Sequence, residues 1–190
     1  MNIVVEAQRK KLHPHKFTLW VAIASILMMF AGLTSAYIVK SNLAGWKNIP
    51  MLTTFWISTA VILLSSLTIQ MALRSFRQRE MGKYRTLIAL TFVLGITFVV
   101  LQTLGFKELW LSYNITFKGN AGAGQFLYVI AGLHALHVLG GVIALMVIFI
   151  KAFFGKTKMY SSVPIEIAAT YWHFVDLLWI YLVIFFAIAG

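Results

Sequence analysis

His134 and His137 stand three residues apart in "AGLHALHVLGG", residues 131–141, surrounded by Leu, Ala, Val and Gly. His173 and Asp176 repeat that spacing in "YWHFVD", and Glu166 precedes His173 by seven. On a helix, residues three or seven apart share a face. Three kinds of chemistry fit such a set. Two histidines and a third ligand on a neighbouring helix could hold a metal ion. A file of His and Asp could carry protons, as in membrane pumps. The same groups could instead hydrogen-bond across two helices and lock them together. His-x-x-His alone is a weak metal signal. Ala131 and Ala135 are four apart, as are Gly140 and Ala144. Such spacing lets helix backbones approach closely, which favours the lock.

Other candidates carry less. The chain has no cysteine, so it builds no disulfide, iron–sulfur cluster or thiolate metal site. The eight methionines are scattered and read as packing residues. His13 and His15 flank Pro14 in a basic segment and read as solvated. Gln70 and Gln102 read as amides bonded within or between helices. No phosphate-binding glycine loop, nucleophile elbow or paired catalytic carboxylate is present.

The elements that must position these residues are membrane helices. The chain is 61% hydrophobic and 11% charged, and its mean hydropathy is +0.86. Soluble domains carry about 25% charged residues. A helix crossing about 30 Å of hydrocarbon needs about 20 apolar residues. Five runs qualify, at 17–39, 52–73, 87–106, 126–150 and 167–189. The fold class expected is an all-α membrane protein, a bundle of five transmembrane helices. Residues 17–190 form its single domain, after a basic tail at 1–16. The first apolar run is too long for the core of a signal peptide. Pro164 falls where the last helix starts, where its missing N–H is not needed.

A net charge of +11 would suggest nucleic acid in a soluble protein. Here the basic residues lie in short segments between apolar runs. Residues 1–16, the second loop and the fourth loop hold twelve Lys and Arg, and the opposite side holds Lys40, Lys47, Lys107 and Lys118. The positive-inside rule therefore predicts a cytoplasmic N-terminus and an outer C-terminus, with no nucleic-acid partner. Trp46, Trp110 and Tyr113 fall at the expected outer boundary. The glycine-rich "KGNAGAGQ", within the 107–125 connection, reads as a flexible outer loop.

Depth narrows the pairing. If the fourth and fifth spans are antiparallel neighbours, His137 is level with residue 178 and Asp176 with residue 139. The offset is about two residues, roughly 3 Å. An ionised Asp at a helix centre costs about 2.5–3.5 kcal/mol, so it seeks a partner. The expected pair is Asp176 with His137. His134, His137, Glu166, His173 and Asp176 are all expected to face the interior as a structural polar network.

The fifth span, "EIAATYWHFVDLLWIYLVIFF", resembles the last helix of subunit III of haem–copper terminal oxidases. The residues that carry the likeness are Glu166, Tyr171, Trp172, His173, Phe174, Val175, Asp176 and Trp179. "FLYVIAGLHALHVLGG" is similar to the helix before it, and the run from Phe30 to Tyr37 is similar to the end of an earlier one. The family occurs with seven helices or, as in many bacteria, with five. This chain looks like the short bacterial form. It departs from the family at Ile26, where a buried Glu is usual, and at Gly105 and Phe106, where Glu-Tyr is frequent. Roles tied to those acids do not carry over.

The resemblance implies a multi-pass subunit of the bacterial cytoplasmic (inner) membrane, with no active site, haem, copper or other metal of its own. The haem and copper belong to partner subunits. Its main partner would be subunit I, then subunit II and further respiratory-complex subunits. It would bind structural phospholipid, support proton uptake and turnover stability, and help deliver oxygen for reduction to water. The competing class is an independent small transporter or channel with a His/Asp proton relay.

Overall fold

A computed structural model describes residues 14–41, 52–112, 122–154 and 162–189. They form five helices: α1 Pro14–Ser41, α2 Thr53–Arg77, α3 Met81–Ser112, α4 Gly122–Phe154 and α5 Val163–Ala189. All five are long and apolar enough to cross a membrane. The five-span expectation therefore holds, but several helices outrun their apolar runs. α3 begins six residues before residue 87 and continues through 107–112, and α4 begins within the glycine-rich stretch at Gly122. Apolar length reports the hydrocarbon crossing. A helix satisfies its own backbone and continues into the polar zone. α1 likewise starts at Pro14, inside the basic 1–16 segment. His13, Trp46, Tyr113 and the rest of residues 1–13, 42–51, 113–121, 155–161 and 190 lie outside the described residues.

α2 and α3 form a tight hairpin. The Glu80 N–H bonds to the Ser75 carbonyl at 3.0 Å and the Arg79 N–H to the Phe76 carbonyl at 3.1 Å. This is the Schellman closure of a helix end, which places one residue in the left-handed region. Arg79 occupies it with φ 62°.

α5 is the hub. It packs on α1, α2 and α4, while α3 packs on α2 and α4, and α1 on α4 and α5. Two buried clusters divide the interior. One, toward the α2–α3 turn, contains Ile69, Phe76, Ile88, Leu145 and Trp172. The other contains Phe30, Tyr37, Phe55, Phe98, Trp179 and Leu182. The outer faces of the helices stay apolar, with Trp20, Met28, Leu67, Leu136 and Ile188 among the exposed side chains. That pattern suits lipid or partner helices rather than water.

The Trp172 side chain reaches from α5 past α4 to α3. A Cβ built on Gly141 would lie 2.9 Å from Trp172 Cε3, and one on Gly95 would lie 3.1 Å from Trp172 Cη2. The indole therefore fills a slot that only two glycines leave open. Ala135 and Gly140, singled out from the sequence, are exposed; the tight contact falls at Gly141.

Candidate functional site

His173 is the best-connected of the ionisable residues at membrane depth. It projects from α5 onto α2. Its Nδ1 lies 2.6 Å from Ser66 Oγ and its Nε2 lies 3.3 Å from Gln70 Oε1. Ser66 and Gln70 are four apart, so one helical face presents both to the ring. The amide oxygen only accepts, so Nε2 carries the proton and Ser66 donates to Nδ1. Asp176 is one turn further along α5 and only 2% exposed. Ser66 lies beside it, but that hydroxyl proton is committed to His173. Neither Asp176 oxygen completes a hydrogen bond.

The expected Asp176–His137 bond is not formed. His137 Nδ1 turns back onto its own helix, 2.7 Å from the Leu133 carbonyl. Its ring packs edge-on against Phe30 of α1, with centroids 5.9 Å apart. Asp176 faces α2 instead. Depth places the two residues level, but rotation about each helix axis sends them to different neighbours. The α4–α5 tie comes from another group: Tyr171 donates from its hydroxyl to the His137 backbone carbonyl at 3.0 Å. His134 is 2% exposed. It stacks on Trp179 with centroids 5.3 Å apart and meets the edge of Phe30. Neither of its ring nitrogens bonds to a protein group.

Glu166 stands apart, at the start of α5. Its carboxylate pairs with Lys16 of α1 and, at 3.1 Å, with Arg77 of α2. Ser162 donates to it at 2.8 Å. One acid thus clamps three helix ends. The five residues form three separate features: the His173–Asp176 face on α2, the α4 histidines, and the Glu166 clamp. Among the described residues, no group of three His, Asp or Glu side chains is placed to hold a metal ion.

Sequence reading missed the partners on α2. Trp172 donates from Nε1 to Ser65 Oγ at 3.1 Å, and Trp179 from Nε1 to Thr59 Oγ1 at 3.0 Å. Ser58 Oγ accepts from Gln102 Nε2 of α3 at 2.8 Å. The hydroxyls at 58, 59, 65 and 66 are a stripe of polar groups along one apolar helix, the first three accepting from their partners and Ser66 donating. Their spacing was a legible signal, but hydroxyl side chains also bond their own backbone and so pass as neutral. Phe174 and Val175, between those anchors, are buried in the core.

An apolar cleft of about 750 Å³ runs between α1 and α5. Trp20, Leu27 and Phe30 form one wall, and Phe174, Leu177 and Tyr181 the other. His173 also lines it. Tyr181 ties the walls together by a 2.9 Å bond to Thr34.

Comparison with known proteins agrees with this architecture. The family model for cytochrome c oxidase subunit III matches residues 12–190. A Mycobacterium tuberculosis protein named probable cytochrome c oxidase subunit 3 is 31% identical over 163 residues, covering 83% of this chain and 79% of the relative. Cytochrome c oxidase subunit 3 of Bacillus subtilis is 26% identical over 167 residues, covering 86% and 80%. The Rickettsia prowazekii relative, named probable cytochrome c oxidase subunit 3, is 33% identical over 168 residues, 83% of this chain and 57% of that protein. Family membership carries association with other oxidase subunits, and with five spanning helices it makes the chain a multi-pass protein of the bacterial cytoplasmic membrane. The chain belongs to the cytochrome c oxidase subunit III family.

Proposed function

We propose that this chain is the non-catalytic subunit III of a respiratory haem–copper terminal oxidase. Oxygen is reduced on partner subunits that hold the haem and copper. This chain packs on subunit I, holds a structural phospholipid and sustains proton uptake during turnover. The cleft between α1 and α5 is the observation that carries this reading. Its volume of about 750 Å³ and its apolar walls suit an acyl chain. The Glu166 clamp, with Lys16 and Arg77, gathers charge at the N-terminal ends of α1 and α5, which suits the headgroup zone of one leaflet. Oxygen partitions into apolar media, so a lipid-filled cleft also offers it a path.

The relay of an independent transporter lacks its connections here. Among the described residues, His134, His137, His173 and Asp176 share no hydrogen bond with one another. The cleft reading is tested by replacing Ala31 and Leu177 with Trp in the assembled oxidase. Bound phospholipid, counted by native mass spectrometry, should fall. The time to inactivation should shorten while haem spectra stay unchanged. Retention of the full lipid complement and lifetime would refute it. A shift in apparent oxygen affinity would support the oxygen path, and an unchanged value would remove it.

A further inference from the structure

A second, smaller cavity of about 150 Å³ lies between α3 and α4, walled by Phe98, Phe106, Ala131, Val138 and Trp179. His134 and Gln102 both face it. Both are at least nine-tenths buried. Gln102 gives its amide N–H to Ser58, which leaves Oε1 without a partner. His134 has neither nitrogen bonded. Thr103, at the rim, gives its hydroxyl proton to the Val100 carbonyl and offers only lone pairs.

From this juxtaposition we infer that the cavity is a binding site for ordered water bridging His134 to Gln102. A neutral imidazole has one N–H and one lone pair, and an amide oxygen only accepts. Their common ligand must therefore donate to Gln102 while accepting from, or donating to, His134. Water does both; an acyl chain does neither. A cation would find a single nitrogen and one amide oxygen, too few ligands to replace its hydration at membrane depth. Liquid water occupies about 30 Å³ per molecule, so the volume is ample. The protein atoms that face it can hold one or two waters at the polar floor, beneath apolar walls. The bridge would extend the Gln102–Ser58 bond into a line from α4 through α3 to α2. It would also hold the His134 ring flat on Trp179. That splice ties α3 to α4, where no side-chain hydrogen bond does so among the described residues.

The test is a structure of the intact oxidase containing this chain, at a resolution that shows ordered water. It should show water within hydrogen-bonding distance of a His134 ring nitrogen and of Gln102 Oε1. Acyl-chain density in the cavity, a partner subunit's side chain bonded to His134, or an empty cavity would each overturn the inference. A double-mutant cycle gives an independent readout. H134F should shorten the thermal half-life of the complex by about threefold, the worth of one interhelical hydrogen bond, and Q102L by about ninefold, because it also removes the bond to Ser58. The double variant should be no worse than Q102L alone, because both changes remove the same bridge. Losses that multiply to about 27-fold would contradict it.

Discussion

At the residue scale, a single imidazole holds more of the α2–α5 contact than either acid. His173 spans Ser66 and Gln70, whereas Asp176 has no bonded partner. Interhelical hydrogen bonds in membranes average about 0.6 kcal/mol, so His173→Ala should cost about 1 kcal/mol. The measurement is the half-life of the assembled complex on mild heating, which should fall several-fold with haem spectra intact. Asp176→Asn keeps the shape and removes the acid. With no cation to lose, the Asn variant should assemble as well as the parent or better, since a buried carboxyl without a hydrogen-bond partner is unfavourable. Failure to co-purify with the oxidase would mean that the acid is used. These residues were legible in the sequence as rare ionisable groups in apolar spans. Their partners were not. Helix depth follows from counting residues along an apolar run, and it placed His137 level with Asp176. Rotation about the axis is set by packing, and it turned them toward α1 and α2.

At the element scale, α5 is anchored by shape as well as by hydrogen bonds. Trp172 enters the slot left by Gly95 and Gly141 and bonds Ser65 at its far edge. A methyl group on Gly141 would press on the face of that ring at 2.9 Å. Overpacking of this kind costs about 1–3 kcal/mol. Gly141→Ala should therefore lower the thermal midpoint of the complex, while Gly132→Ala, with open space around its Cβ position, should not. The α2–α3 turn offers a change in the opposite direction. A left-handed backbone costs a non-glycine residue about 1–2 kcal/mol, and Arg79 bears that strain. Arg79→Gly should raise the thermal midpoint slightly; a fall would show that the Arg side chain contributes more than its backbone costs. Helix number came directly from apolar runs, because hydrocarbon thickness sets a minimum length. Helix ends did not, because α3 and α4 continue through residues too polar to be counted. Gly141 escaped notice because a pair of adjacent glycines does not say which one meets the partner.

At the scale of the whole molecule, an apolar exterior surrounds an apolar core in which the few polar groups are concentrated, unlike the polar exterior of a soluble protein. Hydroxyls, amides and indoles meet inside among buried Ile, Leu and Phe, and further Leu, Ile, Met and Phe face outward. The absence of native cysteine makes orientation simple to test. Gln78→Cys, in the exposed α2–α3 turn, should react with a membrane-impermeant thiol reagent only after the cells are opened. Labelling of intact cells would reverse the positive-inside reading. Family and architecture were both legible, the first in the Tyr171–Asp176 block and the second in five apolar runs. The cleft was not, because it arises from how α1 leans on α5, which no local pattern encodes. The account's central claim is that this chain works as the metal-free subunit of an oxidase. The most direct measurement is to tag this chain, solubilise the native membrane in mild detergent, and record the absorbance and metal content of what is captured. The account predicts a haem- and copper-bearing complex that reduces oxygen, with all of that haem and copper on the other subunits. Intact chain recovered alone, without haem absorbance, or haem or copper bound to this chain itself, would contradict it.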